Sequence, residues 1–189
     1  MKVAMVTGPN AGIGLEITRS LAKQDYHVVA AGRSEERIGP VVAEVEASGG
    51  SVEFLHLDLA SLESARTAAK TFEQSGRTLD VLVNNAGIGV NRRGLTVDGF
   101  EVHFGINHLG HFMLTHHLRR AFQPGTRIVQ VASSVHDRAK GIDFDRVQRK
   151  SSFMGLDEYA VSKLANILFV REMARRQPDW RLYAAHPAW

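Results

Sequence analysis

Thr7-Gly8-Pro9-Asn10-Ala11-Gly12-Ile13-Gly14 joins an apolar run, residues 3–7, to an amphipathic stretch, residues 12–24. The run reads as a buried strand. The stretch reads as a helix with Ile13, Ile17 and Leu21 on one stripe. Glycines at such a junction let the chain turn sharply and approach a bulky anion with no Cβ in the way. The helix that follows offers free N–H groups and the positive end of its dipole. Here the spacing is Gly, three residues, Gly, one residue, Gly, which differs from G-x-G-x-x-G. The glycines alone suit an ordinary turn equally well. Their place between strand and helix favours a dinucleotide.

The same alternation continues along the chain. Further short apolar runs lie at residues 27–31, 52–57, 81–84, 127–131 and 182–185, as expected of strands covered on both faces. Helical stretches separate them at 61–74, 96–122 and 157–176. Ser61 is a plausible N-cap, although Ser64 leaves the capping box incomplete. Glycines at 99, 105 and 110 predict two helices or a bent one over 96–122. A helix after the second strand is doubtful, because Gly39-Pro40 would interrupt it. Residues 136–152 form the one long candidate loop. Strands alternating with helices imply right-handed βαβ units and a parallel, doubly wound α/β sheet, here a single domain over 1–189.

The bulk numbers agree with one globular domain. The chain has 189 residues, 44% apolar and 23% charged, with a formal charge of +3. Lysines and arginines are scattered, without a basic stripe, so nucleic acid is not an expected partner. There is no cysteine, which excludes disulfides, thiolate metal sites and cysteine nucleophiles. The first seven residues are too short an apolar run for a signal peptide or a membrane span, and no other stretch is long enough to cross a bilayer. The expected location is cytoplasmic. His103, His108, His111, His116 and His117 cluster, but no carboxylate or cysteine completes a ligand set, so no metal is expected. They read as surface or interface histidines.

The end of the second strand bears on cofactor choice. An acid there would bind a ribose 2′-hydroxyl. The chain instead has Ala30-Ala31-Gly32-Arg33. Arg33, with Ser34, suits a 2′-phosphate, because a guanidinium fork donates two hydrogen bonds to one phosphate. NADP(H) is therefore expected over NAD(H), which stays open because Glu35 and Glu36 are close by.

Tyr159-Ala160-Val161-Ser162-Lys163 places a phenol and an ammonium four residues apart, on one helix face. A free tyrosine has a pKa near ~10, and a nearby ammonium favours the phenolate. Such a pair occurs by chance on many helices. It gains weight from lying downstream of the glycine turn and of Ser133-Ser134, which end the fifth strand, where open α/β sheets bind ligands.

With these pieces assembled, the sequence resembles the short-chain dehydrogenase/reductase family along essentially its whole length. The matching residues are Thr7-Gly8 with Gly12 and Gly14, Asp58-Leu59, Asn84-Asn85-Ala86-Gly87, Asn107, Ser134, and Tyr159 with Lys163. More narrowly, Asn107-His108-Leu109-Gly110-His111-Phe112 and Ser162-Lys163-Leu164-Ala165-Asn166 resemble the branch of retinol dehydrogenases, WW-domain oxidoreductase and protochlorophyllide reductase. The resemblance implies a three-layer, Rossmann-like fold and an oxidoreductase that moves a hydride between nicotinamide and the carbonyl or alcohol carbon of a small or apolar substrate. It implies Tyr159 as acid/base, Ser134 (with Ser133 the neighbouring possibility) holding the substrate oxygen, Lys163 tuning Tyr159 and holding the ribose, and Asn107 holding a water. The cofactor would touch Gly8, Asn10, Gly12, Ile13, Gly14, Arg33, Ser34, Asp58, Leu59, Asn84, Ala86, Gly87 and Pro187, besides Tyr159 and Lys163. The apolar sides of 96–122 and 157–176 suit either core packing or a homodimer like those of the family.

The chain departs from the family at its end, His186-Pro187-Ala188-Trp189. Relatives continue with a glycine, a segment contacting the nicotinamide carboxamide, a substrate lid and a last helix and strand. The expectation is a C-terminally truncated domain, with six strands present and the lid missing. Ala188 would also resist the positive φ of a glycine. The competing expectation is a dinucleotide-binding module without turnover, or an inactive fragment.

Overall fold

The computed structural model describes residues 1–152 and 154–187. Six strands form one parallel sheet in the order β3-β2-β1-β4-β5-β6. They are β1 (Lys2–Thr7), β2 (Tyr26–Gly32), β3 (Ser51–His56), β4 (Leu79–Asn84), β5 (Phe122–Val131) and β6 (Arg181–Ala185). The helices are α1 (Gly12–Lys23), α2 (Glu35–Ala47), α3 (Leu62–Gln74), α4 (Gly110–His117) and α5 (Leu156–Arg176). The doubly wound α/β architecture expected from the alternation is what forms.

Strand alternation sorts the core into two layers. Val3, Met5, Val29 and Ala31 face α3 and α4, where Ala68, Phe72 and Leu114 meet them. Ala4, Val6, Val28 and Ala30 face α1 and α2, where Ala22, Ile38, Val41 and Val45 meet them. Strand order reverses between β1 and β4, so the crevice beyond their carboxyl ends is the topological switch point.

Three local expectations are corrected. The helix after β2 forms and runs through Pro40. Ser34 caps it by accepting from the Arg37 N–H, and Ile38, Val41 and Val45 bury one face. Pro40 sits on the exposed side, so packing of the buried face outweighs the local penalty. Residues 96–122 are helical only from 102 on, as one run of changing pitch, and 96–101 are not helical. Leu95 bridges Glu101, a π-helical segment spans Phe104–Leu109, α4 follows, and a 3₁₀ turn (Leu118–Ala121) leads into β5. β5 itself starts at Phe122, because a register shift opposite Leu79 and Val81 lets the strand continue past a bulge. Two short 3₁₀ turns, Ser134–Arg138 and Arg146–Gln148, punctuate the loop before α5.

Ser61 caps α3 as expected, accepting from the Ser64 N–H at 3.2 Å. Ser64 Oγ accepts from the Asp58 N–H at 2.9 Å, while the Ser61 N–H, which a capping box would satisfy, donates to the Asp58 carbonyl.

Candidate active site

The turn after β1 is built on glycine for two separate reasons. Gly8 and Gly12 have φ of +66° and +54°, the left-handed region. Gly14 has no such angle, but a Cβ there would lie 2.1 Å from the Gly8 carbonyl oxygen and 2.5 Å from Asn85 Nδ2. The first turn of α1 therefore lies directly against Gly8. Ala11, at the N-cap, offers no side-chain acceptor to the N–H groups of α1, and Gly12 has open space where a Cβ would be. An uncapped helix N-terminus behind an open glycine turn fits an anionic pyrophosphate.

Beside this turn lies a cleft of about 340 Å³ at the carboxyl edge of the sheet. Ile13, Gly87, Ser134, Tyr159, Lys163 and Pro187 all line it. Tyr159 and Lys163 share one face of α5, with Lys163 Nζ 5.6 Å from the Tyr159 ring centroid. Lys163 Nζ donates to the Val131 carbonyl at the end of β5, 2.9 Å away. Ser134 is exposed to the cleft, and its N–H donates to His186 Nδ1 at 3.3 Å. Ser133 also lines the cleft, but its hydroxyl oxygen accepts from the Val135 N–H and caps a 3₁₀ turn. That leaves Ser134 the freer of the two hydroxyls.

Burial pushes the Lys163 ammonium down to about 8. In the unfolded chain a lysine titrates near ~10.4. Between those values the unfolded chain binds more protons, so this group's contribution to stability rises with pH across the window. Wild type is expected to gain stability relative to Lys163→Met as pH rises from 8 to about 10, read by urea unfolding. Parallel pH curves for the two proteins would contradict this.

Asn107 sits within the π-helical segment, 1% exposed. Its side chain brackets Ile88, accepting from the N–H at 2.8 Å and donating to the carbonyl at 3.1 Å. It also donates to Ser162 Oγ at 3.1 Å. The Asn107 backbone carbonyl takes two donors, His111 Nδ1 and Asn166 Nδ2, each at 3.1 Å. Only the second lone pair of Oδ1 is left for the water expected from the sequence.

The other expected contacts fall into two groups. Arg33 is exposed at the end of β2, with no ion-pair partner among the described residues. Ser34 stands next to it, its oxygen occupied by the α2 cap. Asn10 is exposed on the glycine turn, and Ala86 Cβ lies 3.0 Å from where a Gly8 Cβ would be. Asp58 accepts from the Ala60 N–H, and Leu59 is buried. Asn84 is not brought to the cleft by its side chain. It is buried and donates to Thr115 Oγ1 and Gln130 Oε1. Its neighbour Asn85 lines the cleft instead, its amide donating to the Thr7 and Gly8 carbonyls at 2.9 and 3.3 Å. Strand alternation explains the exchange: the last strand residue points into the sheet and the next can leave it. Ala188 lies outside the described residues.

Sequence reasoning missed Asn85, Ile88, Gly89 and His186 as lining residues. The repeated asparagine at 84–85 was the available signal for the first. The reading of the histidines as surface or interface groups is corrected for two of the five, His103 and His111, while His116 is exposed. His103 and His111 are 0% and 1% exposed. His103 Nδ1 is 2.8 Å from Glu101 and its Nε2 3.0 Å from the Gly89 carbonyl. Burial opposes charge on His103, but the Glu101 carboxylate outweighs it and raises the pKa. His111 has no such partner, and burial pushes it down to about 3.

A doubly wound parallel sheet, with a glycine turn at its switch point and a tyrosine–lysine pair across the cleft, defines a Rossmann-like α/β domain. The chain belongs to the short-chain dehydrogenase family, whose model matches residues 2–187. It is 43% identical to polyprenol dehydrogenase of Danio rerio over 88% of this chain and 54% of that protein. It is 40% identical to retinol dehydrogenase 11 of Homo sapiens over 98% of this chain and 60% of that one. The chain thus spans little more than half the length of these relatives. Among solved structures it resembles an alcohol dehydrogenase from the archaeon Thermococcus sibiricus complexed with 5-hydroxy-NADP. The TM-score is 0.77 at 29% identity, covering 99% of this chain and 76% of the other. Among the described residues no helix is long and apolar enough to cross a membrane.

Proposed function

We propose that this chain carries the catalytic half of an NADP(H)-dependent oxidoreductase acting on an alcohol or carbonyl substrate. The observation that carries the reading is the meeting of Ser134, Tyr159 and Lys163 in one cleft beside an uncapped helix N-terminus. When bound, the nicotinamide supplies the hydride acceptor or donor. In reduction, Tyr159 Oη gives its proton to the substrate oxygen; in oxidation it takes the proton from the hydroxyl. Ser134 donates a hydrogen bond to the same oxygen and sets its distance. The Lys163 ammonium attracts the phenolate left behind and is placed to bind ribose hydroxyls. The remaining lone pair of Asn107 Oδ1 is the position for a water leading to solvent. Exposed Arg33 with Ser34 supports NADP(H) over NAD(H), as does the NADP-derived ligand of the archaeal neighbour. The names of the curated relatives suggest long apolar alcohols, retinol and polyprenols, as the first substrates to try. Cytoplasmic location and a homodimer belong to this reading too, and fractionation and sedimentation test them.

The test is a titration with NADPH and NADH, followed by oxidation of bound NADPH with a panel of ketones, aldehydes and quinones. Oxidation of at least one is expected; binding without oxidation would favour a dinucleotide-binding module. Within that experiment Arg33→Ala should weaken NADPH binding about tenfold or more and leave NADH within about twofold, the loss of a charge-assisted pair. An unchanged NADPH dissociation constant would remove Arg33 from the phosphate.

A further inference from the structure

One imidazole joins the two halves of the site from behind. His111 lies in α4, 1% exposed. Its Nδ1 is 3.1 Å from the Asn107 carbonyl oxygen, which can only accept, so Nδ1 carries a proton. Burial keeps the ring neutral at physiological pH, so Nε2 is bare and accepts. Thr7 Oγ1 lies 2.9 Å from Nε2 and is the donor. The other acceptor within reach of that hydroxyl, the Val83 carbonyl, is farther at 3.4 Å. The Thr7 oxygen itself accepts from the N–H groups of Asn85 and Ala86, both at 2.9 Å. Every polar atom of the Thr7–His111 pair is thereby used.

Each bond reaches a different part of the site. Through Thr7, the imidazole holds the end of β1 against the 85–86 loop, next to the glycine turn. Through the Asn107 carbonyl, it holds the π-helical segment, whose Asn107 side chain grips Ile88 and Ser162. Ser162 donates to the Tyr159 carbonyl at 2.7 Å, and Asn166 of α5 shares the Asn107 carbonyl with His111.

We propose that His111 is a positioning residue: a neutral, Nδ1-protonated imidazole that couples the nucleotide-binding turn to the helix bearing Tyr159 and Lys163. The coupling rests on the function proposed above, while the tautomer and its two bonds do not.

Two half-isosteres separate the bonds. Asn places an amide nitrogen near Nδ1 but does not reach Thr7; Gln reaches Thr7 but does not copy the Nδ1 donor. His111→Asn should raise the NADPH dissociation constant about fivefold with kcat at saturation nearly unchanged, the worth of one ordinary hydrogen bond. His111→Gln should do the reverse, lowering kcat about fivefold with NADPH affinity nearly unchanged. Amide hydrogen exchange needs no cofactor: the Asn85 and Ala86 amides should exchange faster in His111→Asn, and that of Ile88 faster in His111→Gln. The ¹⁵N spectrum of the wild-type imidazole, which requires no variant, should show a protonated Nδ1 and a bare Nε2. An Nε2-protonated ring, or variants that move Kd and kcat together in proportion to lost folded protein, would overturn the proposal. A wild type that binds neither nucleotide defeats the proposed function and leaves the tautomer and exchange results to decide for His111. A wild type that turns over, with variants showing no split, defeats the coupling alone.

Discussion

Tyr159→Phe is expected to lower turnover by about a thousandfold or more, the upper part of the range for a positioned general acid/base. The substitution removes one oxygen and keeps the ring, so packing in α5 changes little. The ring still meets His103 edge to face at 6.2 Å and still lies beside Lys163. NADPH should bind within about threefold of wild type, because the contacts proposed for it lie mostly on the glycine turn and Arg33. Fluorescence titration for binding and absorbance at saturating nucleotide for turnover separate the two quantities. Retained turnover at full occupancy would remove Tyr159 from the acid/base role. It would also shift attention to Ser134, the other hydroxyl in the cleft.

Gly14→Ala should be the most damaging small substitution in the turn. The added methyl would sit 2.1 Å from the Gly8 carbonyl oxygen and 3.0 Å from its carbon, both backbone atoms. Core overpacking costs about 1–3 kcal/mol where side chains yield. Here the backbone must move, so about 3 kcal/mol or more is expected. For a chain of this size that is a fall in Tm of roughly 6–12 °C. The shift would also push α1 away from the turn proposed to face the phosphates, so NADPH affinity should fall by well over tenfold, whereas Gly12→Ala, in open space, meets only its positive φ. Calorimetry and nucleotide titration on Gly14→Ala read the two effects. A Tm within about 2 °C of wild type would contradict the close approach of α1 to Gly8.

Much of the fold was legible because it rests on local rules. Strands covered on both faces read as short apolar runs, and all six were placed to within a few residues, except the start of β5. Ser61 announced the α3 cap by residue type alone. The elements misread were those where tertiary contact overrode local preference. Pro40 argues against a helix in isolation, yet Ile38, Val41 and Val45 bury a face that holds it together. The 96–122 stretch has helical composition, but Thr96 and Glu101 are buried and tied to neighbouring chain, which breaks it into a bridge, a π-helical segment and a short helix. His103 and His111 were misread for the same reason, since an imidazole looks alike on a surface and in a core until its partners are known.

The order of residues decided the alternation of strand and helix, the glycine turn at the first crossover, and the four-residue spacing that sets Tyr159 and Lys163 on one face. Each depends on neighbours along the chain, and the helical and strand periods carry that information directly. Only tertiary structure decided that Asn85 rather than Asn84 turns to the cleft, and that His111 is buried, neutral and bonded through Nε2 to Thr7. Those outcomes depend on which hydrogen-bond partner from a distant segment lies within about 3 Å, because a buried polar atom must find its hydrogen bond wherever the fold supplies one.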